Sequence, residues 1–209
     1  MTIHLHKNDL PDGLDFGASV AVDTETQGLS LVRDKLCLVQ LSAGDGDAHI
    51  VQMDRDSYDA PNLKALMANP DVEKIFHFAR FDVAMMKRDL GIMTAPIFCT
   101  KIASGLVRTY TDSHGLKNLC KELLSIDLSK HQQSSDWAAD TLSEAQLTYA
   151  ASDVLYLHQL QRVLTARLMR EGRLDMAQAC FDFMPTRANL DIAGWDGVDI
   201  FSHTMRRPS

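Results

Sequence analysis

"AVDTETQGL", residues 21–29, ends a β-branched, apolar stretch with two carboxylates one residue apart. Side chains alternate along a strand, so Asp23 and Glu25 would project to one face. Two neighbouring anions repel unless a cation lies between them or water surrounds them. The stretch therefore predicts either a solvated strand end or a strand that delivers acid to a cation site, and the rest of the chain must decide which.

Working outward, residues 19–24, "KLCLVQLSA" (35–43) and "AHIVQM" (48–53) have the composition of successive strands, with "GDGD" (44–47) as a tight turn. This predicts a β-meander. "NLKALMANP" (62–70) carries Leu63, Leu66 and Met67 at helical spacing and stops at a proline; "KIFHF" (74–78) reads as a further strand, and "FDVAMMKRDLG" (81–91) as a helix ended by Gly91. Beyond Ala95 the pattern is almost wholly helical, through "CTKIASGLVR", "HGLKNLCKELL" and one long helix from Ser143 to about Arg170. Ser143 and Gln146 form a capping box at its start, and no Pro or Gly interrupts it. A sheet in the first half with helices gathered in the second predicts an α/β or α+β chain, read as one domain over 1–209.

The formal charge of −7 and a pI near 5.5 argue against a broadly basic nucleic-acid clamp, while leaving room for a local polyanion site. Cys37, Cys99, Cys120 and Cys180 are far apart and form no CxxC pair, so neither a zinc framework nor a disulfide scaffold is expected. The amino terminus lacks an apolar signal core, and no apolar run reaches the 18 or so residues a bilayer requires. The expectation is a soluble, cytoplasmic protein without a membrane partner.

Two more acids give the first pair its context. Asp82 opens the helix after the strand 74–78, where an acid can also complement the helix dipole. In "TYAASDVLYLHQL", Tyr149 and Asp153 are four apart and share a helix face among Ala150, Ala151, Val154 and Leu157. A carboxylate on so apolar a helix costs several kcal/mol unless it is paired or holds a metal.

The order DxE, then an Asp after a strand, then YxxxD on a late helix resembles the three motifs of the DEDD superfamily of 3′→5′ exonucleases, tyrosine subclass. "LSKHQQSSDWAADTLSEAQLTYAASDVLYL" (128–157) is similar to the ribonuclease D branch, and "CTKIAS", "RTYTDSHGLK", "QQSSDWAA" and "RANLDIAGWDGVDIF" resemble the nanoRNase C family over nearly the whole chain. The resemblance implies a ribonuclease H-like mixed sheet flanked by helices, with no HRDC domain after it. It also implies two divalent ions, Mg²⁺ or Mn²⁺, whose charge would balance four carboxylates.

By that resemblance Asp23, Glu25, Asp82 and Asp153 hold the metals, and Tyr149 joins them as a catalytic residue by orienting the attacking water. The subclass with histidine would carry it at Thr148. Substrate contacts are expected from Leu29 as a wedge between bases, from Thr24, His77, Phe78 and Arg80, and from the polar loop with Gln133, Ser135 and Trp137. Cys99 and Phe78 depart from the Asp and Asn that many relatives carry there, which bears on the 3′-terminal pocket and not on metal ligation. The implied function is a 3′–5′ exoribonuclease on diribonucleotides, working as a homo-octamer. A general exonuclease on longer single-stranded RNA or DNA is one alternative, and a non-catalytic nucleic-acid-binding protein is the other.

Overall fold

The structure is a computed structural model that describes residues 1–129 and 134–205. β2 (Ser19–Thr26), β3 (Leu36–Ser42) and β4 (Ala48–Gln52) form the expected antiparallel meander, after a strand that the sequence reading left out, β1 (Ile3–Lys7). β1 pairs in parallel with β4 at the sheet edge. Its histidines and lysine hide the apolar alternation, and its ladder partner lies some 45 residues on, as Ile3 opposite Ala48 shows.

α1 (Pro61–Ala68) leads to β5 (Glu73–Phe76) and α2 (Ala79–Leu90), which ends at Gly91 in the left-handed region, φ 73°. β6 (Ile97–Cys99) is a second correction, since the almost wholly helical pattern beyond Ala95 placed no strand there. Three apolar residues running straight into a helix offer no period of their own. The six strands lie in the order β1-β4-β3-β2-β5-β6, with β5 and β6 parallel to β2, giving the mixed sheet that the resemblance implied. That order puts β2, with its acids, near the middle of the sheet.

α3 (Thr100–Val107) and α4 (Leu116–Leu119) follow, α4 running into a wider π-type turn over Cys120–Leu124. α5 (Glu144–Leu155) starts with the predicted capping box: Ser143 Oγ accepts from Gln146 N, and Gln146 Oε1 accepts from Ser143 N. The long helix expected from Ser143 is broken at Tyr156, and α6 (Leu157–Arg170) resumes after it. The break has a packing cause, since α5 lies on β2, β3 and β4 whereas α6 packs against α3. α7 (Leu174–Leu190) completes the helical half.

The main core joins Val20, Leu36, Ile75 and Phe76 of the sheet to Val83 and Met86 of α2, Leu160 and Leu164 of α6 and Phe181 of α7. A smaller one, with Leu38, Ile50, Trp137, Leu142 and Ala150, seats α5. Among the described residues no helix is long and apolar enough to cross a membrane.

Candidate active site

Alternation along β2 sends Asp23 and Glu25 to the face that α5 covers, and the ladder with β3 shifts register between Glu25 and Thr26 just where they emerge. One turn of α5 brings Tyr149 and Asp153 over them. Carboxylate oxygens of Asp23, Glu25 and Asp153 all lie within 4.8 Å of one another. Asp82, in the first turn of α2, comes from the other side, where its Oδ1 accepts a 2.5 Å hydrogen bond from Thr24 Oγ1. The Tyr149 hydroxyl lies beside Asp153.

These acids resist ionising. Burial, then the charges of Asp82, Asp153 and Glu25, holds Asp23 well above the usual carboxylate range. Burial with Asp153 and Asp82 pushes Glu25 up to about 9. Burial also raises Asp82 to about 7 against the opposing Thr24 bond, and Asp153 to about 7 against the opposing influence of the Tyr149 hydroxyl. The Tyr149 phenol is driven upward by burial and by Asp153, so it stays neutral at physiological pH. Mutually repelling oxygens kept from water need positive charge among them. An all-oxygen set of this kind fits hard divalent cations such as Mg²⁺ or Mn²⁺.

The acids and Tyr149 line a pocket of about 330 Å³, at the small end for ligand sites. Leu29 stands at its rim, 85% exposed, which rules out a core leucine. Its loop is tied down by Asp34, whose Oδ2 accepts from Ser30 N at 2.9 Å and would lie 2.3 Å from a Cβ on Gly28. Phe78, in the left-handed region at φ 71°, also lines the pocket, with Lys101 Nζ 4.2 Å from its ring centroid.

His77 lines the pocket as well, and burial pushes its imidazole down to about 3, so it is neutral. Thr100 Oγ1 donates its one proton to the Phe76 carbonyl at 3.1 Å, so His77 Nδ1, 2.9 Å from that oxygen, must carry the hydrogen. Nε2 is left as an acceptor.

Other sequence expectations change. Thr24 lines the pocket, but its hydroxyl is committed to Asp82. Arg80 turns away: its Nε and Nη2 donate to Asp191 at 2.6 and 2.8 Å, beside Arg187 on the same carboxylate. Trp137 is buried, its ring centroid 6.0 Å from that of Tyr149, so it backs the tyrosine instead of meeting a ligand. Gln133 lies outside the described residues, and Ser135, half-buried, is not among the described residues that line the pocket. Sequence reasoning missed Lys101 and Lys117, both of which line the pocket, because nothing local distinguishes them from surface lysines.

A family model described as 3′-5′ exonuclease matches residues 8–169. A ribonuclease D of Acidiphilium cryptum is 39% identical over 156 residues, covering 75% of this chain and 39% of that protein, so the chain spans about two fifths of such relatives. The structure of Brucella melitensis NrnC with bound Mg²⁺ is 55% identical, with a TM-score of 0.94 over 98% of this chain and 100% of that one. Brucella melitensis NrnC bound to pGG is 56% identical, with a TM-score of 0.95 over the same shares. A mixed sheet that carries these acids on β2, a family match over residues 8–169 and solved relatives that cover 98% of the chain have one reading: the chain belongs to the DEDD-type 3′-5′ exonuclease family, on a ribonuclease H-like fold.

Proposed function

We propose that the chain is a metal-dependent 3′–5′ exoribonuclease that hydrolyses very short RNA, down to the diribonucleotide, to 5′-mononucleotides. The observation that carries this reading is the approach of the Asp23, Glu25 and Asp153 oxygens within 4.8 Å, with Asp82 and Tyr149 in the same small pocket. The four acids would hold two divalent ions, which supply charge neutralisation at phosphorus and an activated water at neutral pH.

The chain's own groups do the rest. Tyr149, neutral and braced by Trp137, offers its hydroxyl to align the water in line with the scissile bond. Asp153, one helical turn on, lies beside that hydroxyl and favours its proton. Thr24 holds Asp82 in the inward rotamer. Leu29 at the rim supplies an apolar edge on which two bases can part, and His77 Nε2 accepts from a substrate N–H or O–H. Lys101, with Lys117 in an ion pair with Asp127 at 3.2 Å, brings positive charge to the pocket for phosphate, which an overall −7 chain must concentrate locally.

The small pocket supports a short substrate, as does the likeness to a Brucella protein bound to pGG. The ribonuclease D relatives favour the second reading, a general exonuclease on longer single-stranded RNA or DNA. Initial rates on 5′-labelled RNAs of 2 and 20 nucleotides, with matched DNA, in Mg²⁺, in Mn²⁺ and with chelator, decide between them. Faster loss of the 2-mer upholds the short-RNA reading, and a tenfold advantage for the 20-mer overturns it. Exposed Ile192, Trp195 and Phe201 near the end of the chain support assembly of copies, for which an octameric mass in solution is the expected result.

A further inference from the structure

Gln40 sits in the middle of β3, fully buried, and neither its Oε1 nor its Nε2 has a hydrogen-bond partner. An unbonded buried amide costs about 1–3 kcal/mol, and a methionine or leucine of similar volume would avoid that cost. The β2–β3 register sets Gln40 directly opposite Asp23, with Ile50 of β4 on its other side. Residues directly opposite in a ladder point to the same face with Cβ atoms about 4.5–5.5 Å apart, within reach of a glutamine amide. The one polar side chain β3 places beside Asp23 is therefore the one with nothing to bond.

Two of the neighbouring acids have a hydroxyl at hand. Thr24 Oγ1 serves Asp82 and the Tyr149 hydroxyl lies beside Asp153, while among the described residues no side-chain donor reaches Asp23, which has only the backbone of Thr24, or Glu25. Carboxylates that hold a metal are as a rule oriented by a hydrogen bond from behind. We propose that Gln40 is a positioning residue of the acidic centre: its amide, unpartnered in this structure and opposite Asp23 in the ladder, turns to donate to the Asp23 carboxylate when divalent cations bind and holds it in the orientation that grips them. This rests on the functional reading above and adds to it a residue outside the pocket wall.

The test compares wild type with Gln40→Met and Gln40→Leu in three measurements: thermal unfolding of the metal-free protein, Mn²⁺ binding followed by electron paramagnetic resonance, and kcat and KM on a diribonucleotide. The expected result is a metal-free Tm that is unchanged or higher, Mn²⁺ affinity about tenfold weaker, and a fall in kcat with little change in KM. Wild-type Mn²⁺ affinity in the variants overturns the proposal. So does a metal-free Tm lowered by more than a few degrees, or failure to fold, since the amide would then be serving the fold itself. A wild-type protein that binds no Mn²⁺ defeats the functional reading instead, which separates the two failures.

Discussion

Thr24 Oγ1 donates a 2.5 Å hydrogen bond to Asp82 Oδ1, joining two parts of the site 58 residues apart in sequence. Thr24 stands between Asp23 and Glu25, yet alternation turns it to the other face of β2. One strand end therefore serves the site twice: two acids go directly to the α5 side, and one hydroxyl steadies the acid that α2 brings.

Thr24→Val keeps the shape and removes the donor, leaving the buried Asp82 carboxyl without that bond. We expect a loss of about 1–3 kcal/mol in stability and about tenfold weaker divalent-metal binding, with Thr24→Ser restoring most of both. Equal Mn²⁺ affinity in titrations of Thr24→Val and wild type would show that Asp82 needs no such anchor.

The raised carboxyl groups make metal-free stability pH-dependent. Unfolded, these acids titrate near 4; folded, Asp82 and Asp153 titrate near 7 and Glu25 near 9. The native state thus holds more protons between those values, so their stabilising contribution is full below about pH 4 and is lost as pH rises through about 7 to 9. In chelator, Tm should fall from pH 5 to pH 9, saturating Mg²⁺ or Mn²⁺ should reverse the fall, and Glu25→Gln should raise the metal-free Tm at pH 8 by several degrees. A flat or rising metal-free profile contradicts the argument.

Leu29 is exposed, so Leu29→Ala should leave stability within about 0.5 kcal/mol of wild type. If two bases part on it, burial of that side chain is worth about 1.5–3 kcal/mol, and KM for a diribonucleotide should rise at least tenfold. Steady-state kinetics on the 2-mer check this, and an unchanged KM removes Leu29 from the substrate site.

Arg80 offers the opposite expectation. Its guanidinium holds the buried Asp191 together with Arg187 and also donates to the Asp196 carbonyl, tying the start of α2 to the segment after α7. Arg80→Ala should lower stability by about 1–3 kcal/mol while leaving KM for the 2-mer unaltered. A raised KM at unchanged Tm would return Arg80 to the substrate.

Much of this protein is legible from local pattern. The two-residue spacing of Asp23 and Glu25, the four-residue spacing of Tyr149 and Asp153, the capping box at Ser143 and the stop at Gly91 each act within a strand or a turn of helix, and the structure places all of them as the periodicities require. β1 and β6 are not legible that way, because a five-residue polar edge and a three-residue apolar stub take their form from distant ladder partners. The bend at Tyr156 is equally non-local, set by α5 and α6 resting on different neighbours.

The same division runs through the site. By itself the sequence determined that Asp23 would share a strand face with Glu25 and Tyr149 a helix face with Asp153, because the geometry of strand and helix decides which side chains lie together, while the order of those motifs carried the resemblance that joins them in one site. Only the tertiary structure decided which polar side chains serve that meeting point: Lys101 and Lys117 face the pocket, Arg80 is bound to Asp191, Trp137 lies beneath Tyr149, and Gln40 faces Asp23. Long side chains have several rotamers of similar energy, and the partner that selects among them comes from elsewhere in the chain.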